Sequence, residues 1–175
     1  DSNTRDAIFD AFRRKEAFAT SGPRLRVRLF AGYDYPADLT AQEDWVAQAY
    51  AGGVTMGGDL YANDGAAPSF AVWAARDAMS APLKRLQVVK GALVDGEMVE
   101  TVFDVACSGE LAATWQDPSF NPEARAFYYV RALENPTCRW STWDAIRNGS
   151  KPRGDLPVTI QERVWSSPIW YVPSA

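Results

Sequence analysis

The residues best suited to acid–base chemistry are carboxylates, and one of them lies beside an arginine near the end of the chain. Glu162 and Arg163 follow each other in the stretch TIQERVW. Two carboxylates held close together can act as a general acid and a general base, so Glu162 could work with Asp117 or Asp144. The sequence gives no distance between these groups, and a charge pair on the surface of a strand is the simpler interpretation.

Two overlapping polar stretches could bind a small ion. Gly57, Gly58 and Asp59 could hold an anion through backbone N–H groups, but the carboxylate opposes an anion and a tight turn is favoured. Asp59, Asn63 and Asp64 could surround calcium, although their spacing does not match an EF-hand loop. Neither pattern predicts a site by itself.

Histidine is absent from the sequence, and its absence limits the chemistry of the chain. Ser–His and Cys–His nucleophilic pairs are excluded, and so are zinc sites that need histidine. The two cysteines, Cys107 and Cys138, form either a disulfide or, as we expect, two buried thiols. A disulfide would fit the bacterial periplasm and free thiols would fit the cytoplasm, so both compartments are compatible with the sequence.

Tryptophan is abundant, with seven residues in the chain. Exposed aromatic rings could form a sugar-stacking surface, which would make the protein an independent carbohydrate-binding module. Most of the tryptophans fall in alternating strands or beside a helix cap, where aromatic residues of a core are expected. The six considered for sugar binding are Trp73, Trp115, Trp140, Trp143, Trp165 and Trp170.

Length and charge limit the function classes further. The 175 residues suggest one domain, and a chain of this size buries about 70% of its unfolded surface without needing a disulfide or a metal. The net charge of −4 at pH 7 argues against a nucleic-acid partner, because such proteins concentrate positive charge. No apolar run approaches the roughly 20 residues of a membrane span.

The elements that must position these residues include three short helices. The first is predicted over about residues 4–15, the second begins at a capping box of Thr40 and Glu43, and the third lies near 142–148. The first helix has an apolar stripe of Ile8, Phe9 and Phe12.

The rest of the chain has the pattern of strands joined by turns. Asp95-Gly96 predicts a type I′ hairpin turn within LQVVKGALVDGEMVETVFDVAC. Further strands are indicated by RLRVRLF, PSFAVWAARD, LAATWQ, RAFYYVRAL and TIQERVW followed by IWYV. We therefore expect a mainly β fold, a β-sandwich of about seven strands with an N-terminal helix and one or two short inserted helices.

The aromatic side chains of the C-terminal stretch are expected to pack against another part of the protein or to bind a ligand. Trp165, Trp170 and Tyr171 each offer about 150–250 Å² for burial, which is enough to hold a terminus in place. Pro168 removes a backbone donor, which suits the edge of a sheet. We expect a docked edge strand, and an exposed aromatic binding platform is the alternative.

Three blocks of sequence resemble the C-terminal region of the DUF3604 family, which is related to metal-dependent hydrolases of the PHP (polymerase and histidinol phosphatase) superfamily. The blocks are TRDAIFDAFRRKEAFATSGPRLRVRLFAGYDY; VTMGGDL with PSFAVWAARD and LQVVKG; and TWQDPSFNPEARAFYYVRALENPTCRWSTWDAIRNG with IQERVWSSPIWYV. The third block is long and specific, and the three together cover nearly the whole chain. The join CSGELAATW is shorter than in the family, so either the loop is trimmed or residues are missing near Gly109-Glu110.

The resemblance implies a division of the chain and a role for it. Residues 1–22 would be a helix and the crossing from a catalytic domain that this chain lacks, and residues 23–175 would be an accessory sandwich. The implied function is that of an accessory C-terminal domain of a metal-dependent hydrolase or phosphoesterase. The chain itself would have no catalytic residue, cofactor or metal ligand, and a divalent metal is expected in the catalytic part.

The same resemblance suggests partners and a candidate site. The expected partner is the N-terminal catalytic domain of the same protein, with a homo-oligomer as a further option. Thr20, Ser21 and Gly22 would lie at the crossing and, with Glu162 and Arg163, are candidates for the rim of the active site. A plain turn is the simpler interpretation of the first three residues. A self-contained enzyme that uses carboxylates alone is the remaining alternative.

Overall fold

Two β-sheets packed face to face form the body of the protein, and a third sheet has only two strands, as the computed structural model shows for residues 2–107 and 111–174. The expectation of a mainly β sandwich with an N-terminal helix and short inserted helices is confirmed. The described residues form more strands than about seven, because several strands are only two to four residues long. The predicted join at Gly109-Glu110 lies outside the described residues.

The helices are α1 (Arg5–Arg13), α2 (Trp45–Gly52) and α3 (Trp140–Arg147), with a 3₁₀ turn at Leu39–Ala41. The strands are β1 (Phe18–Thr20), β2 (Arg26–Gly32), β3 (Gly53–Thr55), β4 (Asp59–Tyr61), β5 (Ser69–Ala75), β6 (Leu83–Val94), β7 (Glu97–Cys107), β8 (Leu111–Gln116), β9 (Ala126–Glu134), β10 (Thr137–Cys138), β11 (Thr159–Ile160), β12 (Arg163–Ser166) and β13 (Ile169–Val172). Among the described residues, no helix is long and apolar enough to cross a bilayer.

The larger sheet is built around β9. One edge of β9 pairs with β6, which pairs in turn with β7. The other edge pairs with β12 and then with β13, which follow each other along it. β1 lies beside β12, and β4 lies parallel to β13. The smaller sheet has the order β3-β2-β5-β8, with antiparallel pairs throughout.

The core lies between the two sheets and is filled by alternate residues of their inner faces. The strand β9 shows the pattern, because Tyr128 and Val130 are buried while Phe127 and Tyr129 are only partly covered. Burying alternate apolar residues on one face is what holds two sheets together. The largest fully buried side chains include Phe30, Phe70, Leu29, Leu86, Tyr128 and Ile169.

The hairpin between β6 and β7 has the predicted turn. Asp95 has a φ of 50° and Gly96 a φ of 83°, and a type I′ turn requires positive φ at both central positions. The turn type predicted from the local sequence is therefore confirmed.

The terminal strand is docked as expected, but it is not an edge strand. β13 lies between β9 on one side and β4 on the other. Pro168 falls in the break between β12 and β13, where no backbone N–H is needed for strand pairing. Its carbonyl accepts a hydrogen bond from the N–H of Gly57. The edge position was wrong because β4, a three-residue strand, gives little sequence signal of its own.

Two local predictions were also wrong. Thr40 belongs to the separate 3₁₀ turn and α2 begins only at Trp45, so the predicted capping box does not start this helix. The cysteines are free thiols, but Cys107 and Cys138 are both exposed and not buried. Each is the last residue of its strand, where neither sheet covers the side chain.

Candidate functional site

Ser21 and Glu162, 141 positions apart in the sequence, form a hydrogen bond in which the serine hydroxyl donates to the carboxylate. The register pairs Thr20 of β1 with Val164 of β12, which places the residues after β1 beside those before β12. The Ser21 hydroxyl also accepts from the N–H of Arg163 at 2.9 Å. The structure therefore brings together the two stretches from which the rim was predicted.

Gly22 and Arg163 have more limited roles in this arrangement. A Cβ at Gly22 would lie 3.8 Å from Oε2 of Glu162, an ordinary contact, and Gly22 does not adopt a positive φ. The turn therefore does not require glycine. The guanidinium of Arg163 lies 5.9 Å from the centre of the Trp165 ring, and its Nε donates to the Gln161 carbonyl at 3.2 Å.

A second carboxyl group, that of Glu134, lies beneath this surface and was not predicted. Glu134 is fully buried, and its backbone N–H donates to the Glu162 carbonyl at 2.9 Å. One carboxyl oxygen accepts from the Ser80 hydroxyl at 2.6 Å, and the other has no hydrogen-bond partner in the described part of the chain. Glu134 ends a strand, and nothing in its sequence position indicates burial.

Burial raises the pKa of Glu134 above its usual range, and the nearby charges of Glu162 and Asp77 raise it further. Asp77 shows the opposite behaviour. Hydrogen bonds from the backbone N–H groups of Met79, at 2.9 Å, and Arg24, at 2.8 Å, lower its pKa. Carboxyl groups whose pKa values are pushed apart are the usual basis for an acid and a base in one site.

We call Ser21, Asp77, Ser80, Glu134 and Glu162 the rim cluster. Three loops supply Ser21, Asp77 with Ser80, and Glu162, and the end of β9 supplies Glu134, all at one end of the sandwich. Glu162 and Ser21 are accessible there, whereas Glu134 is closed off from solvent. The accessible pair can accept and donate hydrogen bonds to a bound molecule, and Glu134 can act only through Ser80 or through the field it exerts.

The carboxylates suggested as partners of Glu162 lie elsewhere. Asp117 follows β8 at the opposite end of the sandwich, because Gln116 pairs with the first residue of β5 whereas Asp77 follows the last. Asp144 lies in α3, with its carboxylate 3.8 Å from Arg147. The carboxyl group on which the charge of Glu162 acts is instead that of Glu134.

The glycine pair at 57–58 does not bind an anion through its backbone. The N–H of Gly57 donates to the Pro168 carbonyl at 2.9 Å and that of Gly58 to the Thr55 carbonyl at 3.1 Å. Gly57 has a φ of 90°, and a Cβ there would lie 2.4 Å from the Lys15 carbonyl oxygen. A tight turn beneath the end of α1 explains this glycine.

The described residues show no acidic or thiol cluster of the kind that could hold a metal ion. They contain no group of three or more cysteine, aspartate or glutamate side chains placed to hold an ion. Asp59 and Asp64, two of the three residues considered for calcium, are not joined by a third side chain of these types in this part of the chain.

The six tryptophans considered for sugar binding divide into two sets. Trp73, Trp115 and Trp165 are partly covered by the sandwich. Trp140 and Trp143 of α3 and Trp170 of β13 are exposed, by 71%, 49% and 43%. Only the second set is available for stacking on a ligand.

A family model described as "Protein of unknown function (DUF3604)" matches residues 1–112 and 108–173 of the chain. The two matched ranges meet at 108–112, within the stretch where the sequence indicates a shortened connection. No curated protein and no solved structure matches the chain.

Proposed function

This chain belongs to the DUF3604 family, and on that premise we propose that it is the accessory C-terminal β-sandwich of a PHP-related metal-dependent hydrolase. Its partner is the catalytic domain of the same protein. The sandwich docks on that domain through α1 and completes the rim of its active site with Ser21 and Glu162. The divalent metal and the residues that hold it belong to the catalytic domain.

The observation that carries this proposal is the apolar stripe of α1, which faces away from the sandwich. Ile8, Phe9 and Phe12 are 46%, 60% and 69% exposed, and α1 has no buried residue. A contiguous group of large apolar side chains on a surface is typical of a protein-binding site. Burying each of them contributes about 1.5–3 kcal/mol, so a partner that covered the stripe would be held firmly.

The end of α1 is fixed to the sandwich, so the stripe is presented in a defined direction. The carboxylate of Glu16 accepts hydrogen bonds from the hydroxyls of Tyr50 and Thr55. The N–H of Ser167 donates to the Ala17 carbonyl at 2.9 Å. A nine-residue helix is marginal without tertiary contacts, and these contacts are made by the segment after the helix while the stripe is left free.

The docking surface leads directly to the rim. Phe18, 47% exposed, begins β1 and is a further exposed aromatic residue shortly after α1 in the chain. Ser21 follows β1 directly, three residues after Phe18, and its hydroxyl donates a hydrogen bond to Glu162. A domain that covers α1 would therefore lie next to Ser21 and Glu162.

The rim pair would act on the substrate by positioning. A hydrolase of this class cleaves an ester or phosphoester with a water that its metal ions activate. The carboxylate of Glu162 and the hydroxyl of Ser21 can bind the donors and acceptors of a substrate at the mouth of such a site. They would affect orientation, and chemistry would remain with the catalytic domain.

The proposal is tested in the full-length protein with Phe9→Asp and Phe12→Asp combined. We expect these changes to separate the two domains, seen as new cleavage by trypsin between them, and to lower esterase or phosphoesterase activity. Ile146→Asp is the matched control, because Ile146 is also an exposed apolar residue of a helix, 56% exposed, but lies on α3 and outside the rim cluster. Unchanged proteolysis and activity in the double variant would contradict the proposal.

Metal content gives an independent test. We expect stoichiometric divalent metal in the full-length protein and none in a fragment of residues 1–175. Metal bound by the fragment, or turnover by it, would place the chemistry in this chain and overturn the proposal.

A further inference from the structure

The outer face of the larger sheet carries aromatic rings in register across neighbouring strands. Gly91 of β6 pairs with Phe127 of β9, Phe127 with Trp170 of β13, and Trp170 with Asp59 of β4. Because paired residues point to the same face, these four positions form one row. Tyr61, two residues after Asp59, lies on the same face and is 68% exposed.

Gly91, which has no side chain, lets the neighbouring ring of Phe127 lie flat on the sheet. A Cβ at this position would lie 2.2 Å from the tip of the Phe127 ring, so the ring rests directly on the glycine backbone. Phe127 also contacts Trp170, with ring centroids 5.2 Å apart, and lies nearly parallel to Tyr129. The rings are thus fixed by one another and form a broad surface, not separate mobile side chains.

A groove of about 530 Å³ runs over this surface. Its walls include Leu93 and Met98 of the β6–β7 hairpin on one side and Tyr61 on the other. Two charged side chains, Asp59 and Arg125, lie on the groove. Both are exposed, and neither takes part in a hydrogen bond or an ion pair within residues 2–107 and 111–174.

We propose that this groove binds a neutral saccharide, which stacks on Trp170, Phe127 and Tyr61 and hydrogen-bonds to Asp59 and Arg125. One face of a sugar ring presents C–H groups, which are attracted to the negative face of an aromatic ring. The hydroxyls at its edge need both an acceptor and a donor, and the carboxylate and the guanidinium supply one of each. The site is independent of α1 and of its proposed docking.

The charges of the groove favour a neutral ligand over an anionic one. Asp59 and Arg125 carry opposite charges, so the groove has no excess of positive charge to attract a phosphate or a uronate. The net charge of the whole chain, −4, also opposes a polyanion such as single-stranded nucleic acid. A polar pair beside flat aromatic rings is the usual composition of a site that fixes a polar ligand's orientation.

The test measures binding of cellohexaose, xylohexaose, maltohexaose and mannohexaose to the full-length protein by calorimetry. We expect saturable binding of at least one of them. Trp170→Ala should weaken it by about tenfold or more, and Asp59→Asn should weaken it less. Trp140→Ala is the matched control, because Trp140 is the more exposed tryptophan but lies on α3, and it should leave affinity unchanged.

Trp170 lies on a strand with neighbours on both sides, so Trp170→Ala could weaken binding by disturbing the fold. Tyr61→Ala is therefore a second variant that tests the groove. Its ring is largely exposed, so the variant should remain folded by circular dichroism and still bind more weakly. Failure of all four oligosaccharides to bind would overturn the inference. So would stronger binding of polygalacturonate than of the neutral sugars, or affinity that depends on Trp140 and not on Trp170.

Discussion

The ammonium nitrogen of Lys90 lies 2.5 Å from Oδ2 of Asp117, and both side chains are buried. The same carboxylate accepts from the Tyr128 hydroxyl at 2.8 Å and from the Ser119 N–H at 2.8 Å. Lys90 also donates to the Ser119 carbonyl at 2.8 Å. The pair therefore ties the loop after β8 to β6 and β9, and every charge in it is matched.

Breaking this pair should be costly. Lys90→Met leaves the carboxylate of Asp117 buried without its cation, and we expect the free energy of unfolding to fall by about 3–5 kcal/mol. Urea denaturation measures the change. Arg85→Met is the matched control, because Arg85 lies 3.4 Å from Asp104 in an exposed pair, and such pairs contribute about 0–1 kcal/mol. Equal losses of unfolding free energy in the two variants would show that burial does not determine how much the Lys90–Asp117 pair contributes to stability.

The buried carboxyl of Glu134 should make stability depend on pH. Burial raises its folded pKa above the usual 4.5, so the folded protein holds the proton more tightly than the unfolded chain does. Its contribution is complete below pH 4.5 and is lost as the pH rises through the raised value. Glu134→Gln keeps the neutral form, so the variant should gain stability relative to the wild type between pH 4 and pH 8. Glu97→Gln, at the exposed start of β7, serves as the matched control. Parallel profiles for wild type and Glu134→Gln would contradict this account.

Gly91 should not tolerate a side chain. A Cβ there must displace the ring of Phe127, and forcing a larger residue into a packed site costs about 1–3 kcal/mol. Gly91→Ala should therefore lower the thermal midpoint and also weaken saccharide binding. Gly154→Ala, where a Cβ would meet nothing within 4 Å, serves as the control for replacing a glycine. A Gly91→Ala variant of unchanged stability would mean that the ring does not rest on the backbone.

The Ser21 hydroxyl should contribute to the link between β1 and β12. Ser21→Ala removes the donor to Glu162 and the acceptor for Arg163 N–H, and we expect a loss of about 1 kcal/mol in unfolding free energy. Ser21→Thr keeps the hydroxyl and should restore most of it. In the full-length protein Ser21→Ala should change KM more than kcat, because the pair positions substrate. A change in kcat alone would contradict that role.

The parts of the fold that the sequence predicts well are those set by neighbouring residues. The β6–β7 hairpin follows from Asp95-Gly96 and its alternating arms, and the stop of α3 follows from Gly149, whose φ is 63°. The start of α2 was mispredicted, since Thr40 enters a 3₁₀ turn that tertiary contacts of the buried Leu39 stabilise. Propensity alone does not reveal such a competition.

The candidate site depends on contacts between distant residues, which local patterns do not contain. Ser21 and Glu162 were both candidates for the rim, but no contact between them was predicted. The register of β1 with β12 gives the physical reason that they meet. Glu134 and Lys90 were missed because a charged residue in a strand is normally expected to be exposed. Their burial depends on Ser80 and Asp117, which lie 54 and 27 positions away.

The central claim is that α1 docks on a catalytic domain, and hydrogen exchange of its backbone tests this most directly. Exchange is compared for residues 5–13 in the full-length protein and in the fragment of residues 1–175, with the exposed helix α3 as an internal reference. We predict strong protection of α1 in the full-length protein and rapid exchange in the fragment, while α3 exchanges equally in both. Equally rapid exchange of α1 in the two proteins would contradict the account.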